Sequence, residues 1–220
     1  MIWIYIVAGI AIYIKMLVLP NPAIDTAEFA VVETVAMESG VPNAVSGIIF
    51  RNRLYDTIFE VVVFTIAITG VKFLLADESP RSTIRQFPDR PSIILARLGA
   101  TISAIVSIEL AIRGHLSPGG GFAAGVAGGT AIGLVAITSS STWMDSIYRR
   151  WQAATWEKVS VLIFISIAGL SLTGSEPPHG QMGALASGGW IPILNILVAL
   201  KVALGSWAAI LTFIRYRGLL

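Results

Sequence analysis

The sequence predicts an all-α, polytopic integral membrane protein with about six transmembrane helices and short interfacial helices. Hydrophobic residues make up 55% of the 220 residues, charged residues only 13%, and the mean hydropathy is +0.78. A soluble domain carries about 25% charged residues, so this chain has too few to cover a water-facing surface. Apolar stretches of about 20 residues, long enough to cross a bilayer as a helix, recur along the chain. They lack the strict alternation of membrane β-strands.

Six stretches have the length and composition of a membrane span: 2–19, 57–76, 92–112, 121–138, 155–173 and 190–214. Helices are expected in all six, because lipid offers no hydrogen-bond partner to open backbone groups. The first stretch ends at Pro20 and has neither a preceding basic region nor a clear Ala-x-Ala cleavage site. It is interpreted as an uncleaved span, with a signal peptide as the alternative.

Composition also bears on the kinds of function that the chain can carry. It has no cysteine, which excludes disulfides, thiolate catalysis and cysteine-ligated metal centres, and its two histidines are too few for a metal site of histidines alone. A formal charge of +2 is too small for the strongly basic surface that binds nucleic acid, so no nucleic-acid partner is expected. The sequence shows no nucleophile–base set, no Gly-x-Ser-x-Gly elbow and no His-Glu-x-x-His helix. We expect no catalytic centre and no cofactor in this chain.

Basic residues in short loops predict the orientation, because cytoplasmic loops carry the excess of Lys and Arg. With six spans, most loop arginines fall on the side of the two termini: Arg81, Arg85, Arg90, Arg149, Arg150, Arg215 and Arg217. Both termini are therefore predicted to be cytoplasmic, in a multi-pass protein of the cytoplasmic membrane.

The chain is expected to divide into a two-span module (1–76), a polar linker (77–91) and a four-span domain (92–220). The linker, DESPRSTIRQFPDRP, is the most polar stretch and contains prolines. Between the first two spans, 27–38 and 45–50 predict short helices at the interface or against other subunits. No internal repeat is visible, which disfavours the inverted-repeat architecture of many lone transporters.

The most distinctive motif is RGHLSPGGGFAAGVAGGTAIG at 113–133. Pro118, Gly119 and Gly120 predict a tight entry into a helix. Gly121, Gly125, Gly129 and Gly133 recur every four residues and form one stripe, which allows another helix to approach closely. The sequence leaves open whether that helix belongs to the same chain or to a partner.

Ionisable residues inside spans are costly and mark either an ion route or a brace between helices. Lys201 lies deepest, in the last span. Glu109 precedes Arg113 by four residues, the order that favours an ion pair on a helix. Glu60 lies in the first turns of the second span. His115, in the Gly/Pro turn, either relays protons or caps local backbone, and for His179 backbone capping is the favoured interpretation.

These residues resemble a known family. RGHLSPGGGFAAGVAGG and SGGWIPILNILVALKVALG resemble the signature segments of the B subunit of Mrp (Mnh) multisubunit cation/proton antiporters. VSGIIFRNRLYDTIFE is similar to the C-terminal region of the antiporter's A subunit, which is a separate small subunit in membrane-bound hydrogenase and sulfur-reducing complexes. Arg53, Asp56, Thr57 and Glu60 match its core pattern. Ile58 and Phe59 depart from the usual Leu-Gly.

The resemblance implies a non-redox membrane subunit of a large ion-translocating complex. That complex is either a free-standing Na⁺/H⁺ antiporter or the antiporter module of a respiratory hydrogenase or sulfur reductase. Its implied partners are other membrane subunits, the lipid bilayer, Na⁺ and H⁺. By the same analogy, Glu60, Glu109, His115 and Lys201 line or brace a polar route. The alternative is a self-sufficient secondary transporter.

Overall fold

The computed structural model describes residues 26–81, 84, 87 and 89–218. The predicted first span, 2–19, lies outside these residues. Within them the chain is helical, with no strand.

Five of the described helices are long and apolar enough to cross a membrane. They are α3 (Leu54–Leu74), α4 (Arg90–Arg113), α5 (Gly120–Thr138), α7 (Ala153–Leu172) and α8 (Ile191–Arg217). The other helices are α1 (Thr26–Ser39), α2 (Ala44–Gly47) and α6 (Ser141–Arg150). The five long helices coincide with the five predicted spans after the first, and α8 extends three residues further than expected.

Local sequence explains where several helices begin. The Asp89 side chain accepts a hydrogen bond from the Ser92 backbone N–H at 3.0 Å, and Pro91 occupies the first turn of α4. A proline is tolerated there because its missing N–H would have no partner inside the helix. Ser140 caps α6 in the same way, accepting from the Trp143 backbone N–H.

The connection before α3 contains the short helices that the sequence predicts. Gly40, at φ +69°, ends α1, and Asn43 caps α2 by accepting from two backbone N–H groups. A π-helical turn, Ile48–Asn52, follows directly and leads into α3. Their place at a membrane interface stays a prediction.

The segment 139–154, which the sequence treats as a loop, contains the amphipathic helix α6. Met144 of this helix is buried with Trp207 and Ala136, and Ile147 packs against the same cluster. Gln152, in the left-handed conformation at φ 48°, turns the chain into α7. A short helix with one apolar face is typical of a segment lying along the membrane surface.

Helix α8 lies at the centre of the bundle, against α3, α4, α5 and α7. Helices α4 and α5 pack against each other along much of their length. One buried cluster joins α8 to α3 and α7 and includes Leu54, Phe164 and Val198. A second cluster surrounds Trp207 near α6. The central position of α8 brings its few polar residues into contact with every major helix.

Candidate functional site

The glycine stripe of α5 faces α8 of the same chain. A Cβ atom added to Gly121 would lie 2.3 Å from the Asn195 backbone oxygen, and one added to Gly125 would lie 2.4 Å from the Val202 Cβ. Because real Cβ atoms essentially never approach so closely, only glycine allows this helix spacing. The structure therefore places the stripe in packing within the chain, the first of the two possibilities that the sequence leaves open.

The turn before α5 requires glycine for a second reason. Gly119 and Gly120 have φ values of +132° and +70°, in the region that residues with a Cβ rarely adopt. The side-chain amide of Asn195 donates to the carbonyls of Leu110 and Ala111, at 3.0 and 2.7 Å. Both carbonyls lie in the last turn of α4, where a helix leaves backbone acceptors without partners of its own. A single buried asparagine thus joins α8 to α4 beside the glycine turn.

Residues of the N-terminal segment hold the other side of this turn. The Asn43 side-chain amide donates to the carbonyl of Gly114 at 2.7 Å and to that of Ser117 at 2.8 Å. The Ser46 hydroxyl also donates to Gly114, at 2.9 Å. The start of α2 is therefore fixed directly to the distinctive sequence motif.

His115 is completely buried within this turn, and neither ring nitrogen has a hydrogen-bond partner of normal geometry among the described residues. Burial lowers the pKa of His115, and the backbone of Ala184 and Leu185 acts in the opposite direction but more weakly. A buried imidazole without partners is neutral near pH 7, and it keeps a free acceptor nitrogen and a free donor.

Lys201 forms an ion pair with Glu157 in the interior of the bundle. Their side chains are 1% and 7% exposed, and the Lys201 ammonium lies 5.2 Å from the centre of the Phe64 ring. Sequence analysis missed Glu157, because it lies near the start of the predicted span, where a charged residue reaches water. Its depth follows from the packing of α7 against the centre of the longer helix α8.

Glu60 lines two neighbouring cavities beside this ion pair. The larger, of about 210 Å³, extends from Asn43 and Ser46 to the glycine turn. The smaller, of about 10 Å³, is lined by both Glu60 and Lys201. The structure therefore brings two of the four predicted pathway residues to one small cavity, and His115 belongs to the adjoining turn.

Glu109 lies apart from these cavities. Its carboxylate forms the predicted ion pair with Arg113, four residues later, at 3.2 Å. Both side chains are more than half exposed on the outer surface of α4. The arrangement is that of a charge pair at the surface of the chain.

A comparison with known protein families identifies the family to which most of these residues belong. Residues 91–208, more than half of the chain, match the family described as a domain related to the MnhB subunit of Na⁺/H⁺ antiporter. The chain belongs to this family. The MnhB-related domain includes the glycine motif, Glu109, Glu157 and Lys201, whereas Glu60 precedes it.

Two curated relatives extend the match of this MnhB-related protein beyond the family domain. It is 22% identical over 209 residues to a protein of Rhizobium meliloti (strain 1021) whose name gives it as the probable A/B subunit of a K(+)/H(+) antiporter. The aligned region covers 82% of this chain but only 21% of that relative. An uncharacterised protein of Methanocaldococcus jannaschii is 28% identical over 195 residues, covering 75% of this chain and 74% of the relative.

Two solved structures share the fold of the MnhB-related chain. One is a chain of the membrane-bound sulfane sulfur reductase, an archaeal respiratory membrane complex, with a TM-score of 0.67, 23% identity and 97% coverage of both chains. The other is a chain of the Mrp complex from Dietzia sp. DQ12-45-1b, with a TM-score of 0.61 and 19% identity, covering 94% of this chain and 25% of that one.

Outside the spans, a polar cluster joins the N-terminal segment to the loop before α8. An Arg51 guanidinium nitrogen lies 3.0 Å from a Glu176 carboxylate oxygen and 2.9 Å from His179 Nε2, and Ser171 donates to the same carboxylate. Burial alone would raise the pKa of Glu176. The hydrogen bond from His179, the charge of Arg51 and the Ser171 hydroxyl together hold it below its ordinary value. His179 thus contacts side chains of two segments, whereas the sequence favours local backbone capping.

Proposed function

We propose that this chain is the MnhB-type membrane subunit of a multisubunit cation/proton antiporter module. The family match, the relative named for a K(+)/H(+) antiporter and the shared fold support this function. The module is either free-standing or part of a respiratory complex. Na⁺ and K⁺ are both candidates for the exchanged cation, because the family description names the first and the Rhizobium relative the second.

The N-terminal module belongs to the same proposal. Residues 1–76 are proposed to correspond to the C-terminal region of the antiporter's A subunit, joined by the linker 77–91 to the B-type domain 92–220. The alignment with the Rhizobium relative, whose name combines A and B, supports this division, since it covers 82% of the chain and extends well beyond the family domain. Asn43 and Arg51 supply contacts between the two parts.

The single observation that carries the proposed mechanism is the small cavity lined by the exposed Glu60 and by the buried Lys201, which is paired with Glu157. A carboxylate holds either a proton or a metal cation at a given oxygen, so occupancy of Glu60 by one excludes the other. Such competition is what exchange of a cation for a proton requires. Glu157 keeps the Lys201 charge compensated inside the bundle, where an isolated charge would be costly.

The partners of this mechanism are other membrane subunits, the lipid bilayer, H⁺ and the exchanged cation. Large apolar side chains on the outer faces of α3 and α4, such as Phe59, Ile66, Ile94 and Ile105, are more than 60% exposed. Such surfaces pack against lipid or against other membrane helices. The chain is proposed to lie in the cytoplasmic membrane with both termini in the cytoplasm, and Glu109 is proposed to brace the contact with neighbouring subunits.

The test is cation-driven proton transport by the whole complex, measured in membrane vesicles with a pH-sensitive dye after addition of Na⁺ or K⁺. Glu60→Gln removes a charged ligand, which contributes about 1.5–3 kcal/mol, so we expect at least a tenfold loss of exchange per assembled complex.

Glu78→Gln is the matched control, because it makes the same chemical change on the carboxylate of an exposed ion pair outside both cavities. Its exchange rate per assembled complex should remain that of the wild type. Normal exchange by Glu60→Gln would contradict the proposed route. Exchange by the purified chain alone in liposomes would contradict its role in a larger assembly and favour a self-sufficient transporter.

A further inference from the structure

A large apolar groove lies on the outer surface of the bundle, away from Glu60 and Lys201. Helices α4 and α7 form its sides, α5 and α8 form its floor, and α6 closes one end. Its volume is about 940 Å³, near the upper end of the range of about 300–1,000 Å³ for small-molecule sites. Of the described residues that line it, Arg97 alone is charged.

The groove is short compared with a helix that crosses the membrane. Its lining on α4 runs from Arg97 to Ala104, and its lining on α8 runs from Leu200 to Trp207. Seven residues of helix rise about 10 Å, whereas a bilayer core is about 30 Å thick. The groove therefore extends from the middle of α4 and α8 into the leaflet on the side where α4 begins, where α6 and the first turn of α7 line it. A lipid molecule of that leaflet has the matching depth.

Aromatic residues mark the end of the groove that faces the membrane surface. Trp143, Trp151 and Trp156 line this end, and all three are about half exposed or more. Tryptophan is enriched at the level of the lipid headgroups. The three tryptophans therefore indicate that this end of the groove lies at the headgroup level.

Arg97 supplies the complementary charge. It is exposed on α4 about two turns from the start of the helix, and its guanidinium has no partner among the described residues. The long side chain can reach the headgroup region while its methylene groups remain against apolar surface. A lipid phosphate in this region would pair with a charge that no side chain among the described residues compensates, and Arg is well suited to bind phosphate.

We propose that this groove is a binding site for an anionic phospholipid of the leaflet in which α4 begins. The acyl chains occupy the apolar floor formed by α5 and α8, and the phosphate contacts Arg97. A zwitterionic headgroup brings its own cation close to the guanidinium, so a lipid with net negative charge is preferred. This site is independent of the ion exchanged and of the proposed route through Glu60.

The experiment uses the full chain in nanodiscs of phosphatidylglycerol and phosphatidylcholine, with a photo-reactive side chain at Ile132 on the groove floor. Mass spectrometry of the adduct identifies the captured lipid. A basic residue near the membrane surface contributes about 1 kcal/mol to binding of anionic lipid, so we expect about fivefold enrichment of phosphatidylglycerol over its share of the nanodisc. The same probe at Ile105, on the exposed face of α4 outside the groove, should capture lipids in proportion to their abundance.

Variants test whether the charge and the groove act together. Arg97→Gln should remove the enrichment at Ile132, Arg97→Lys should keep most of it, and Arg90→Gln, at the start of α4 outside the groove, should leave it unchanged. Ala104→Phe, which fills the groove, should reduce capture of either lipid. Absence of enrichment in the wild type, or enrichment that survives Arg97→Gln in a folded protein, would overturn the proposal. So would capture of a protein at Ile132 in the native membrane, because the occupant would then be a neighbouring polypeptide.

Discussion

Lys201 and Glu157 show how a single pair of side chains can place two charges inside an apolar helix bundle. Each ion loses its hydration on burial, and their mutual attraction compensates only while both are present. The position of Lys201 inside a span predicts that it either lines an ion route or braces two helices. The structure identifies its ion-pair partner as Glu157. Glu157 could not be predicted, because its distance from the membrane surface depends on where α7 lies against α8.

At this scale, we expect Lys201→Met alone to destabilise the protein by about 3–5 kcal/mol, because Glu157 is left as an unpaired buried charge. The double variant Lys201→Met/Glu157→Gln should recover most of that loss but show no exchange in the whole complex. Unfolding in detergent measures the first effect and vesicle transport the second. Equal instability of the single and double variants would show that pairing is not what Lys201 contributes.

At the scale of helices, the packing of α5 against α8 depends on the absence of side chains. Glycine is a poor helix former in water, costing about 1 kcal/mol relative to alanine. Here it lets two backbones come so close that an added methyl group on Gly121 would meet a backbone oxygen of α8. The four-residue spacing predicts the stripe, but the sequence alone does not identify the helix that packs on it, since a partner's helix would satisfy the same pattern.

We expect Gly121→Ala to destabilise the chain by about 1–3 kcal/mol, the usual cost of overpacking, because the backbone of α8 must move. Gly133→Ala is the matched control on the same stripe, where the added Cβ would lie 3.4 Å from a flexible Ile210 methyl group. That variant should be neutral or slightly more stable. Thermal unfolding in detergent gives both values, and equal losses would argue against close packing as the role of the stripe.

At the scale of the whole molecule, the short helices before α3 are joined to loops that lie far from them in the sequence. Asn43 binds the turn between α4 and α5, and Arg51 binds Glu176 in the segment before α8. Val41 is also fully buried, close to Gly188. These contacts unite the N-terminal segment with the MnhB-related domain, although the two are expected to be separate modules from their sequence resemblances.

The contact through Glu176 predicts a dependence of stability on pH. Because the folded state lowers the pKa of Glu176 below its ordinary value of 4.5, the carboxylate stabilises the protein fully above that value. The stabilisation is lost as the pH falls through the lower folded pKa. Glu176→Gln should therefore lower the melting temperature at neutral pH, and the difference from the wild type should disappear in acid.

Melting curves of both proteins in detergent across this pH range test the prediction. Glu78→Gln, which removes an exposed ion pair with Arg217, is the control and should change stability little at any pH. A Glu176→Gln difference that stays constant down to strongly acidic pH would show that the carboxylate charge is not involved.

Apolar length and composition by themselves determined the helical membrane fold and, for the described residues, the positions of the five long helices. The physical reason is local: each span must be apolar over the bilayer thickness and satisfy its own backbone hydrogen bonds. Only the tertiary structure decided which helix covers the glycine stripe, which carboxylate compensates Lys201 and where Arg97 meets an open groove. Those outcomes depend on the rotation and depth of each helix relative to its neighbours, which are set by packing between segments distant in sequence.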